Sequence, residues 1–104
     1  MHPTDAHSPK WRIEQGTIDV VYTHPSTDWS VATMTYDEVP GCVGIRWNGD
    51  INNPADLGYP SARGNGAWFI LPEGPAQMML AMVAFAATTG EAILSPAEAL
   101  GAAG

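Results

Sequence analysis

From Lys10 to Trp47 the strand segments alternate apolar and polar residues with a period of two, and after Pro75 an uncharged, mostly apolar run replaces that alternation. Successive side chains of a strand point to opposite faces, so this alternation predicts half-buried strands. Trp11, Ile13 and the run Thr17-Ile18-Asp19-Val20-Val21-Tyr22-Thr23 read this way, with Gln15-Gly16 between them as a tight turn or a bulge. His24-Pro25-Ser26-Thr27-Asp28 is turn chemistry, and Trp29 to Tyr36 is a second strand rich in Thr, Val and aromatic residues. Asp37-Glu38-Val39-Pro40-Gly41 turns the chain again. In the third strand, Cys42 to Trp47, Val43, Ile45 and Trp47 share one face while Cys42, Gly44 and Arg46 share the other.

Asn48-Gly49 opens an irregular stretch that runs to Gly66, and Ala67-Trp68-Phe69-Ile70-Leu71 then reads as a strand covered on both faces. Glu73-Gly74-Pro75 starts a helix, with Pro at the first helical position where its missing donor costs nothing; it runs to about Thr89, with Gly90 as a natural stop. Ser95-Pro96-Ala97-Glu98 is a second helix start, so 95–104 is a short helix or a loose tail. Residues 1–9, with two Pro and two His among small polar residues, read as a flexible arm, leaving 10–94 as one domain. The predicted fold is α+β: an antiparallel meander of four to five strands packed against a C-terminal helix, since no crossover separates the early strands.

Composition narrows the function classes. With 104 residues the chain is one domain, and 45% hydrophobic residues exclude disorder by composition. The net charge is −7, and Lys10, Arg12, Arg46 and Arg63 are the only Lys and Arg. Nucleic-acid affinity rests on several cations neutralising phosphates, so direct nucleic-acid binding is not expected. The same deficit, with no basic amphipathic helix and no apolar run of spanning length, argues against a membrane. Cys42 is the single cysteine, which excludes an internal disulfide and a thiolate cluster. The N-terminal residues lack a positive region followed by an apolar stretch, so the expected location is the cytoplasm.

No motif specifies chemistry. His2, Asp5 and His7 have no third ordered ligand of the usual kind, and no metal or cofactor is expected. Asn48-Gly49-Asp50-Ile51-Asn52 begins like a calcium loop, but Asn53 and Tyr59 stand where that loop needs Gly and Glu. Gly64-Asn65-Gly66 lacks the third glycine of a dinucleotide fingerprint. Cys42 with His24 is the only nucleophile–base pair available, and a lone strand cysteine is normally inert.

Two features point to binding. A structureless stretch of this length in a small domain is either functional or hides an element. It concentrates polar side chains between aromatic flanks, and Arg46, Trp47, Asn48, Asp50, Tyr59, Ser61, Arg63 and Trp68 are the candidate ligand-binding residues. Pairing of Arg46 or Arg63 with Asp50 or Asp56 is the competing, purely structural explanation. The second feature is the helix, which carries no charge between Pro75 and Thr89. A helix on the surface of a monomer needs a charged outer face, so a second copy is expected to cover it through Met78, Met79, Met82 and Phe85.

The runs Gly44-Ile45-Arg46-Trp47-Asn48-Gly49-Asp50, Gly58-Tyr59-Pro60-Ser61-Ala62-Arg63-Gly64 and Trp68-Phe69-Ile70-Leu71-Pro72 resemble small bacterial proteins of mobile gene cassettes of the integron type. The similarity covers residues 42–72. It implies a stand-alone accessory protein and brings no catalytic residues. The expected function is therefore a non-enzymatic binding or interaction protein, a homo-oligomer (dimer) presenting the 46–68 loop to a small molecule or a protein partner. One alternative is a small enzyme on an anionic or polar metabolite, with Arg46 and Arg63 holding the anion and Asp50 or Asp56 as base. Another is an acidic decoy for a basic or nucleic-acid-binding protein.

Overall fold

A computed structural model describes residues 1–89. A short 3-10 turn, Pro3–Asp5, precedes strands β1 (Asp19–Thr23), β2 (Trp29–Tyr36) and β3 (Val39–Trp47). Three two-residue strands follow, β4 (Ser61–Ala62), β5 (Asn65–Gly66) and β6 (Phe69–Ile70), and then helix α1 (Glu73–Thr89). The fold is α+β: a four-stranded antiparallel sheet in the order β1-β2-β3-β6, with β4-β5 as a separate hairpin. Among the described residues no helix is long and apolar enough to cross a membrane.

The register of β2 on β3 sorts the side chains into two faces. Ser30, Ala32 and Met34 lie opposite Arg46, Gly44 and Cys42, whereas Trp29, Val31 and Thr33 lie opposite Trp47, Ile45 and Val43. The first face carries the core, in which Ala32 and Met34 pack with Ala6, Ile13 and Trp68. Gly44 permits this packing, since a Cβ there would sit 2.9 Å from Met34 Cε and 3.2 Å from Trp68 Cβ. On the second face α1 packs on β3, and Val31 and Val43 are buried. The helix turns Ala76, Met79, Val83 and Ala86 inward, an i, i+3, i+7, i+10 stripe of half-buried or buried positions.

Four sequence expectations are revised. Residues 1–9 do not fray: Ser8 bridges Ala67, Trp68 Nε1 donates to Ala6 O at 2.7 Å, and the Met1 α-amino group donates to the carbonyls of Asn48, Asp50 and Asp56. A buried indole needs an acceptor, and this segment supplies it. Trp11–Ile13 forms a turn with one bridge, Ile13 to Tyr36, instead of a strand. The turn before β3 is two residues long, with Asp37 (φ 48°) and Glu38 (φ 68°) both left-handed, so β3 begins at Val39. The stretch 48–66 holds the β4-β5 hairpin, turned at Arg63-Gly64. The second helix start, at 95–104, lies outside the described residues.

Candidate functional site

The expected loop site splits into an internal scaffold and an external groove. Arg46 is 2% exposed on the core face of β3. Its Nε donates to Asn48 Oδ1 at 3.0 Å, and its terminal nitrogens donate to Ala67 O and Leu57 O, both at 2.5 Å. The guanidinium also lies 5.9 Å from the centre of the Trp68 ring. Burial pulls the Arg46 pKa below its ordinary value. Asn48 continues the chain of contacts, donating from Nδ2 to Ser30 Oγ at 2.8 Å, and that hydroxyl pairs with Thr23 Oγ1 at 2.7 Å. Arg46, Asn48 and Trp68 thus weld the 48–68 segment to the sheet, with their polar groups spent on protein partners.

The loop is organised by Asp56 rather than by arginine–aspartate pairs. Asp56 Oδ2 accepts from Asp50 N at 2.9 Å and Oδ1 accepts from Gly58 N at 3.1 Å, while Asp50 Oδ1 accepts from Asn52 N. The amides of Asp50 and then Gly58 hold the Asp56 carboxyl below the usual carboxylate range, against desolvation, with the Met1 α-amino charge adding least. A carboxylate so engaged is a poor general base. Arg63 stands on the exposed turn between β4 and β5, and Ser61 is exposed on β4. Neither lines the groove described next, so the structure does not gather Arg46, Arg63, Asp50 and Ser61 into one cleft.

The groove lies on the other face of the sheet. It has a volume of about 340 Å³ and is walled by Trp29, Ile45, Trp47, Tyr59, Pro60, Phe69 and Met79, with Arg46 at its edge. Three of its aromatic side chains are largely open to solvent: Trp47 is 54% exposed, Tyr59 71% and Phe69 57%. Register explains the grouping. Trp29 pairs with Trp47 and Ile45 with Phe69, and reciprocal backbone bonds between Trp47 and Tyr59 (2.7 and 2.9 Å) bring the loop to the sheet. Gly58 (φ 65°) makes that approach possible, because a methyl group there would overlap the Trp47 carbonyl oxygen. Of the expected ligand-binding residues, Arg46, Trp47 and Tyr59 border this groove, with the Arg46 side chain's hydrogen bonds all made to the protein, and of the helical ones, Met79.

Trp29, Ile45, Pro60 and Phe69 are the groove residues that the loop-centred reading omits. Alternation already placed Ile45 and Trp47 on one face, and extending it to Trp29 and Phe69 required the register. Trp29 is further fixed by ring contacts with Tyr22, 5.5 Å between centroids, and with stacked His24, 5.9 Å. A second recess, about 640 Å³, runs along Trp11, Arg12, Glu14, Thr35, Asp37 and Glu38. There the Arg12–Asp37 ion pair (2.8 Å) and the stack of Arg12 on Trp11 (4.2 Å) already match charge with partner.

Fold and groove together define an α+β sheet-and-helix domain with a largely apolar, aromatic cleft between sheet and helix. No protein-family model matches the chain, and neither a curated protein nor a solved structure matches it.

Proposed function

We propose that the chain is a non-enzymatic binding module whose recognition surface is the aromatic groove beside α1. The observation that carries this reading is the exposure of Trp47, Tyr59 and Phe69 around one cleft on a backbone held in place by Arg46 and Gly58. Preformed, mostly apolar clefts of about 300–1,000 Å³ are the usual small-molecule sites, and this one falls in that range. Rigid aromatic walls favour a flat, apolar ring system, which gains area burial and ring stacking together. A stand-alone accessory role, as the resemblance over residues 42–72 implies, fits a small binding module. Self-association through α1 is compatible with it, since Met78, Met82 and Phe85 are 70%, 44% and 64% exposed.

The test is titration with a neutral naphthalene such as 1-naphthol, followed by tryptophan emission and thermal unfolding. At a hundred times its dissociation constant the ligand should add about 2.7 kcal/mol of stability. Trp47→Ala and Phe69→Ala should weaken binding about tenfold or more, while Arg63→Ala should leave it unchanged. Equal binding by all three variants would move the site elsewhere.

A further inference from the structure

We infer that the partner seated on this face is a second copy of the chain, docked about a two-fold axis with the methionine edge of α1 laid across the aromatic rim of its neighbour. The inference rests on the groove being the recognition surface and names what occupies it. Wheel geometry connects the two patches: at 100° per residue Met82 and Met78 fall on the same side of the inward stripe as Met79, which lines the groove. The aromatic rim and the Met78–Met82 edge therefore form one continuous strip. Taking aromatic side chains at about 200 Å² each and methionines at a similar size, the exposed fractions of Trp47, Tyr59, Phe69, Met78 and Met82 amount to about 600 Å². A standard interface buries about 800 Å² per partner, so the strip has most of the area a stable dimer needs.

Charge selects the occupant. The chain carries −7, so most pairings of two copies bring carboxylates together. The strip carries no Asp, Glu or Lys, and the one arginine at its edge points its guanidinium to the opposite face of the sheet. Two copies can meet here without juxtaposing like charges. The chemistry is also reciprocal, since methionine thioethers favour aromatic edges and each copy offers both. An isologous interface needs that self-complementarity.

Sedimentation and light scattering from low to high micromolar concentration, run beside the naphthol titration, test the inference. The expected species has twice the 11.0 kDa chain mass. Met82→Glu and Met78→Glu should raise the dimer dissociation constant about 100-fold by facing like charges across the axis. Both positions are solvent-exposed on the helix, so the variants should keep the wild-type far-ultraviolet spectrum and bind naphthol at least as tightly as wild type. An 11.0 kDa particle at every concentration, with naphthol bound, would overturn the second copy and leave the groove as a ligand site. A dimer indifferent to both glutamates and to Trp47→Ala would place the interface elsewhere and overturn the inference. A monomer that binds no naphthol would remove both readings.

Discussion

Arg46 shows how a residue type can suggest one role and perform another. An arginine among asparagines and aromatics reads as an anion holder, yet here it is a buried cation that satisfies carbonyl oxygens from two distant parts of the chain, Leu57 and Ala67. Arg46→Met keeps most of the volume and removes every donor, leaving buried acceptors unpaired. The expected loss is about 3 kcal/mol, read from urea unfolding, and Arg46→Lys should recover only part of it because an ammonium lacks the planar fork. Asp56 works at the surface by the same logic. Its folded pKa is depressed, so its contribution is present above the unfolded value and is lost as pH falls through the folded one. The loop should loosen as pH falls below about 4, the ordinary carboxylate pKa, toward the lower folded one. Asp56→Asn should remove that acid-side loss of loop amide protection in hydrogen exchange.

At the level of elements, β2 was legible from its alternation, and α1 from its Glu73-Gly74-Pro75 start and its uncharged run rather than from an amphipathic period. The alternation across Trp29–Tyr36 and the uncharged run after Pro75 match β2 and α1 closely. Three things were not legible. The Asp37-Glu38 turn uses left-handed residues other than glycine, which hides it within a longer turn signal. The β4 and β5 strands are two residues each, too short for any period to register. The groove depends on which residues of β2, β3 and β6 stand opposite one another, and register is a property of pairs of strands rather than of either one. The 48–66 segment also differs along its length. Gly64 has open space where a Cβ would be, whereas Gly58 lies against the Trp47 carbonyl. A short Gly/Ser insertion after Gly64 should cost under about 1 kcal/mol. The same insertion between Gly58 and Tyr59 should cost about 2 kcal/mol or more by breaking the Trp47–Tyr59 pair, a difference that chemical denaturation would resolve.

For the molecule as a whole, the sheet separates two kinds of surface. One face is closed by Ala6, Ile13 and Trp68 and holds the polar scaffold, and on the other, among the described residues, α1 leaves Trp47, Tyr59 and Phe69 largely exposed. The closed face is assembled from distant parts of the described chain, with the indole of Trp68 bonded to a carbonyl 62 positions earlier. This has a temporal consequence. Residues 1–8 leave the ribosome well before 66–68, the strip they lie against, so during synthesis this segment has no partner in that strip until some sixty further residues have emerged.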